Sequence, residues 1–304
     1  MSDSIVIMGP TAVGKTEIAV SVAESVGGEI ISADSIQVYR GLDIGAARPS
    51  SDQLARIPHH MIGVIEPECP YSAYEYRSDA GRAIGDILSR GKVPVIAGGT
   101  GLYIHSLVYD MDFGGSKGDE SVRAEYERIA AERGRAYVYG LLIEKDPEAA
   151  EKIHPNNLKR VIRALERAGK YKNFSMDMRR GKLLNPALFL LTRKRADLVR
   201  RIDIRVDGMM KAGLVGEVER LVKRGLSMDH ISMFGIGYKE TLGYLRGDYS
   251  MDEMVELIKI HTRRYAKRQM TWFRRYEEAN AIDLLPTDAT SAVAAEVASH
   301  YKGL

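Results

Sequence analysis

Eight residues near the N-terminus, Gly9-Pro10-Thr11-Ala12-Val13-Gly14-Lys15-Thr16, satisfy the pattern G-x-x-x-x-G-K-[ST] in full. That spacing serves polyphosphate binding. The glycines let the backbone N–H groups around Thr11, Ala12 and Val13 turn inward on phosphate oxygens, and a following helix N-terminus adds partial positive charge. Lys15 supplies a point charge and Thr16 a hydroxyl for Mg²⁺. The pattern does not say whether the polyphosphate is a nucleotide. Two further positions can do chemistry. Asp34 closes a short apolar run, where a carboxylate can hold Mg²⁺, act as a general base on an acceptor, or merely cap the next turn. Thr100 stands in Gly98-Gly99-Thr100-Gly101, where its hydroxyl either meets a ligand or only shapes the turn. The run 93–97 ends in Gly-Gly-Thr and not in the Asp that orders Mg²⁺ in many nucleotide hydrolases. A group transferase that uses the loop to hold a phosphorylated donor fits better than a motor ATPase.

These residues need strand ends to hold them. Apolar runs at 4–8, 29–33, 60–65 and 93–97 alternate with helical periodicity at 18–26 and 73–89, which predicts an α/β fold with a doubly wound parallel sheet. Ligands bind such sheets at the carboxyl ends of strands, where the glycine loop, Asp34 and Thr100 all fall. Asp34 is expected on a strand next to the glycine-loop strand. From about residue 110 the texture changes: a Gly-rich break at 112–119 precedes charged helical stretches at 120–133, 147–153 and 157–168. A β-like run at 187–191 then returns the chain to the sheet. The expected division is a core of 1–110 with 185–304, interrupted by a helical insertion at 111–184. Ser250-Met251-Asp252-Glu253 is a capping box predicting a long helix to about residue 278, with a last strand at 282–285.

Composition bounds the rest. The 304 residues are 45% apolar and 28% charged, the balance of a globular protein. No apolar run reaches the ~20 residues of a membrane span, and the N-terminus lacks a basic n-region, so a cytoplasmic protein is expected. A single cysteine, Cys69, excludes an internal disulfide and a Cys-rich metal cluster. His60 is expected to be structural. The net charge of +3 hides a segregation: residues 151–200 carry +10, residues 1–150 carry −8 and residues 201–304 carry +1. A block that basic is either a phosphate-backbone surface or a solvated face. Within it Lys159, Arg163 and Arg167 form one helical stripe opposite Leu158, Ile162 and Leu165. A second basic cluster, 261–275, interleaves Tyr265, Trp272 and Tyr276 with cations; that aromatic spacing favours core over a base-stacking platform.

The ordered set of motifs resembles the tRNA dimethylallyltransferase (tRNA isopentenyltransferase) family, in its compact bacterial form. The resemblance is carried by the glycine loop, Ser32-Ala33-Asp34-Ser35-Ile36-Gln37-Val38-Tyr39, Asp43-Ile44-Gly45, Pro58-His59-His60 and Gly98-Gly99-Thr100-Gly101-Leu102-Tyr103. It continues through Asp146-Pro147, Arg163-Ala164-Leu165-Glu166, Gly169-Lys170, Gly237-Tyr238-Lys239-Glu240 and the 262–269 segment. Asn157, where many members have Asp, and the segment 171–181 depart from the pattern. The resemblance implies transfer of a dimethylallyl group from dimethylallyl pyrophosphate to N6 of the adenosine 3′ of the anticodon, in tRNAs reading codons that begin with U. It implies Asp34 as proton acceptor and Thr100 at the donor's bridging oxygen. Lys15, Arg205 and Thr16 with Mg²⁺ would neutralise the pyrophosphate held by Gly9 through Thr16. Contacts to the tRNA anticodon stem-loop are implied for Asp34, Ser35, Ile36, Gln37, Arg123, Lys159, Arg160, Arg163, Gly237, Tyr238, Lys239, Arg268 and Gln269. A monomer is expected. An adenylate isopentenyltransferase and a small-molecule kinase are the rival readings; the basic block disfavours the first.

Overall fold

In the computed structural model, the described residues are 2–109, 111, 120–168 and 184–303. The Gly-rich break at 112–119, the Gly169-Lys170 pair and the 171–181 segment lie outside them. Six strands form one sheet in which every pairing is parallel: β1 (Ser4–Met8), β2 (Gly28–Ala33), β3 (His59–His60), β4 (Val93–Gly98), β5 (Pro186–Arg193) and β6 (Asn280–Leu284). Their spatial order is β3-β2-β4-β1-β5-β6. Every residue of β1 and β2 is buried, as both-sided covering by helices requires.

The helices follow in chain order. α1 (Lys15–Val26), α2 (Ser51–Arg56), α3 (Ala73–Ser89) and α4 (Gly101–Val108) belong to the first half of the sheet. α5 (Glu120–Arg133), α6 (Arg135–Lys145), α7 (Pro147–Lys152) and α8 (Leu158–Ala168) come next. After β5 follow α9 (Arg195–Ala212), α10 (Leu214–Lys223), α11 (Met228–Met233), α12 (Tyr238–Leu245), α13 (Met251–Phe273) and α14 (Thr290–Gly303).

Two compact units result: Met1–Val108 with Leu183–Leu304, and Tyr109–Lys182. In the first, Ile18 and Val22 of α1 and Val293 and Val297 of α14 pack on Ile5, Ile7 and Phe189 of the sheet. Against the opposite face, Tyr76 of α3 donates its hydroxyl to Ser32 O at 3.0 Å and stacks on Tyr103 of α4 at 3.8 Å. A second core joins Ile202 and Val206 of α9, Val218 of α10, Tyr238 and Leu242 of α12, and Met254 and Ile258 of α13. Among its described residues the second unit consists of helices α5 to α8, with a core of Val138, Leu142, Val161, Ile162 and Leu165.

Two expectations are corrected. The run at 60–65 yields only the two-residue β3, because Met61 and Gly63 adopt left-handed conformations (φ 64° and 60°) that turn the chain away. And β2 is not the neighbour of β1: β4 lies between them. Gly98 makes that insertion possible, since a Cβ there would collide with the Ala33 carbonyl. The capping box predicted at Ser250 does open α13, with Ser250 Oγ accepting from Glu253 N–H, and the helix ends at Phe273 rather than near 278.

Candidate active site

The carboxyl ends of β1, β4 and β2 carry the glycine loop, Thr100 and Asp34 side by side, in that order. Adjacent strands lie about 4.8 Å apart, so roughly 10 Å separates the glycine loop from Asp34. The loop leaves β1 and turns into α1 with Ala12 (φ 63°) and Gly14 (φ 116°) in positive-φ conformations, which rotate N–H groups inward. Lys15 Nζ folds back over the loop and donates to Gly9 O (3.0 Å) and Pro10 O (2.9 Å). Burial, together with the Arg205 charge, pulls its pKa down to about 7, against the opposing pull of Asp34. Thr16 lines the cavity beside the loop, and its hydroxyl has no hydrogen-bond partner among the described residues.

Asp34 does two things at once. Its Oδ1 accepts from Ile36 N–H (2.9 Å) and Gln37 N–H (3.3 Å), the capping geometry. Its Oδ2 has no hydrogen-bond partner among the described residues. The carboxylate lines both principal cavities. Thr100 Oγ1 accepts from Ser35 N–H (3.0 Å), tying β4's end to the Asp34 turn. Arg205, on α9, also lines both cavities and makes no hydrogen bond or ion pair among the described residues. Burial lowers its pKa, the price of a desolvated cation that has no anion in contact.

The smaller cavity, about 80 Å³, is lined by the loop side: Thr11, Lys15, Thr16, Ser32, Asp34, His59 and Gln269 among others. The larger, about 330 Å³, is lined by Ser35, Ile36, Gly45, Val206, Phe234, Ile236 and Arg268. Thr11, Asp34, Arg205 and Tyr265 line both, so the two spaces meet at the carboxylate.

Sequence reasoning missed three residues here. Arg193, at the end of β5, donates Nε to Val13 O (2.8 Å), and Arg201 donates Nε to Ala12 O (2.8 Å). Both bring a terminal nitrogen to within 3.8 Å of where a Cβ on Gly14 would lie. The spacing Arg201–Arg205, one helical turn apart, was the available signal. Tyr265, Trp272 and Tyr276 were expected in the core; Tyr276 is buried and Trp272 half-buried, but Tyr265 stands at the junction of the cavities. Burial and then the Asp34 charge raise its phenol to about 12.

Several residues expected at RNA are turned inward. Tyr238 is fully buried and donates its hydroxyl to Glu217 (2.9 Å), so its side chain is closed to RNA; of the Gly237-Tyr238-Lys239 turn only Lys239 is exposed. Gln269 accepts Thr11 N–H (2.8 Å) and donates to Gly99 O (2.8 Å), clipping the glycine loop to the end of β4. Gln37 accepts from Ser32 Oγ (2.8 Å) and donates to Ala46 O and Ala47 O. Arg268 is exposed, with its guanidinium 5.7 Å from the Tyr265 ring. His60 lines neither cavity and pairs with Glu29 at 2.8 Å.

In the second unit α8 buries Val161, Ile162 and Leu165 and exposes Lys159 and Arg160. Arg163 and Arg123 both reach the buried Glu166 carboxylate, at 2.6 and 3.1 Å.

The model of the IPP transferase family matches residues 37–276, and that of isopentenyl transferase matches residues 3–61. A tRNA dimethylallyltransferase of Alkaliphilus oremlandii is 44% identical over 303 residues, 98% of this chain and 97% of the relative. One from Thermotoga maritima is 48% identical over 276 residues, 90% of each. The solved structure of a full-length tRNA isopentenylpyrophosphate transferase from Bacillus halodurans superposes with a TM-score of 0.75 at 37% identity, covering 100% of this chain and 96% of the other. A eukaryotic dimethylallyltransferase solved acting on tRNA gives a TM-score of 0.78 at 26% identity, over 93% of this chain and 74% of that one. On identity, coverage and fold together, the chain belongs to the tRNA dimethylallyltransferase family.

Proposed function

We propose that the chain transfers a dimethylallyl group from dimethylallyl pyrophosphate to N6 of the adenosine immediately 3′ of the anticodon, in tRNAs reading codons that begin with U. Family membership supports the reaction class. The observation that carries the assignment of roles is the order glycine loop, Thr100, Asp34 across adjacent strand ends, with the Asp34 carboxylate lining both cavities. The donor's pyrophosphate lies in the glycine loop, its five-carbon group in the smaller cavity, and the extruded adenosine enters the larger one.

The N6 lone pair attacks C1 of the donor, the C1–O bond breaks, and its electron pair leaves on pyrophosphate. Asp34 Oδ2 takes the N6 proton while Oδ1 stays engaged with the turn that aims it. Thr100 stabilises the bridging oxygen. Lys15, Arg193, Arg201 and Arg205 surround the departing charge, and such preorganised cations are usually the largest catalytic term. The residues fit Mg²⁺: Thr16 lines the cavity beside the glycine loop and offers a hydroxyl without a partner among the described residues. When bound, the ion neutralises pyrophosphate charge.

Lys159, Arg160, Arg163 and Arg123 contact the RNA backbone, as do Lys239 and Arg268. The same reading makes the protein a cytoplasmic monomer. No helix among the described residues is long and apolar enough to cross a membrane.

The test is transfer of radiolabelled dimethylallyl, with Mg²⁺, to unmodified tRNA and separately to AMP. Label on tRNA alone supports the proposal. Label on AMP alone moves the function to a free-nucleotide enzyme, and label on neither with a folded protein reopens the kinase reading.

A further inference from the structure

Glu217 of α10 is 1% exposed and has no basic partner among the described residues. A buried carboxylate without a cation persists only when its oxygens are saturated with hydrogen bonds. Here Oε2 accepts the N–H groups of Asp43 (2.9 Å) and Ile44 (2.7 Å). Oε1 accepts Gly45 N–H (3.0 Å) and the Tyr238 hydroxyl (2.9 Å). Three consecutive backbone donors thus converge on one side chain more than 170 residues away. The Tyr238 ring fills the space that a side chain at Gly45 would need, 2.5 Å from its Cβ position. The Asp43-Ile44-Gly45 and Gly237-Tyr238 motifs are therefore two halves of one clamp, closed by Glu217.

The clamp leads to the reacting groups. Gly45 and Ala46 line the larger cavity and Ala47 lines the smaller. Gln37 Nε2 holds Ala46 O (3.2 Å) and Ala47 O (3.3 Å), and Gln37 N–H donates to Asp34 Oδ1. We propose that Glu217 is a positioning residue for the acceptor site: it fixes residues 43–46 as the wall of the larger cavity and, through Gln37, steadies the turn that orients Asp34. The inference rests on the proposed function, which assigns that cavity to the acceptor adenosine.

The experiment measures steady-state transfer with tRNA and dimethylallyl pyrophosphate varied separately. Wild type is run first; its failure to label tRNA would overturn the proposed function, and with it the assignment of the clamp to an acceptor site, whereas a failure of the clamp alone shows only in the variants. Glu217→Gln keeps the shape and one acceptor oxygen but replaces the other with a donor. Its kcat/KM for tRNA should fall about ten-fold, with a raised KM for tRNA and the donor KM within about two-fold of wild type. Tyr238→Phe removes one of the four bonds and keeps the ring, so the same split should appear at about two- to five-fold. If Glu217→Gln does not fold, Tyr238→Phe carries the test alone. Unchanged KM values for both substrates beside a lowered melting temperature would make the clamp a fold-stabilising contact only. Equal rises in both KM values would also overturn the inference.

Discussion

Asp34→Asn separates the two roles that the carboxylate combines. Asparagine retains an oxygen where Oδ1 accepts from Ile36 and Gln37 N–H, so the turn keeps a cap worth about 1 kcal/mol. Its amide nitrogen, in place of Oδ2, accepts no proton. A positioned base contributes about 10²- to 10⁴-fold, so kcat should fall by at least about 100-fold, equivalent to about 3 kcal/mol or more in the barrier. Donor binding should change little, because two charge effects oppose. Loss of the Asp34 charge removes a pull that raises the pKa of Lys15 and Arg205, but it also removes repulsion of the diphosphate. Asp34→Ala should lose the same activity and, in addition, the cap. The assay is single-turnover transfer of labelled dimethylallyl to tRNA, with thermal unfolding alongside. A rate for Asp34→Asn within ten-fold of wild type would refute the base role. Equal stability losses in the two variants would refute the cap.

Lys15 should take up a proton when the donor binds. Burial and the Arg205 charge pull its pKa down to about 7, and a diphosphate beside it favours the charged form and raises it. Calorimetry at pH 8 in two buffers of different protonation enthalpy should show uptake approaching one proton, absent in Lys15→Arg; buffer-independent heats would sink the idea. Glu29 is held well below the usual carboxylate range by Arg90, then by Lys92 and His60, against its own burial. A depressed carboxyl adds stability above the ordinary range that is lost as pH falls through it. Glu29→Gln should therefore cost about 2 kcal/mol at pH 7, discounted for half-exposed partners, and the deficit should shrink toward pH 3 in urea titrations. A deficit that grows on acidification contradicts the pairing. Replacing Lys159 and Arg160, both exposed on α8, with Ala should weaken tRNA binding and reduce its log–log salt slope by about one for each phosphate left without its cation. An unchanged slope would return these two cations to the solvated-face reading.

Much of the site was legible in the chain because its parts are local. The glycine loop, the Asp34 turn and the Ser250 capping box each close hydrogen bonds within a few residues, so residue type and spacing specify them. The alternation of strand and helix likewise specified the sheet, and the apolar face of α8 specified the packing that leaves its cations outside. What spacing could not hold is which distant groups meet. Glu217 with Asp43 through Gly45, Gln269 with Thr11 and Arg193 with Val13 are pairings across 172 to 258 residues, some of them set by strand order. Placing β4 between β1 and β2 is likewise a tertiary decision, and it separates the phosphate loop from the carboxylate by the width of a substrate. Tertiary packing likewise turned Tyr238, Gln37 and Gln269 toward protein partners, as polar groups withdrawn from water require, and so made clamps of side chains whose motifs read as RNA contacts. The sequence by itself determined the chemical groups and the local turns that aim them; only the fold decided which groups share a cavity, because that depends on strand order and on the polar partners burial demands.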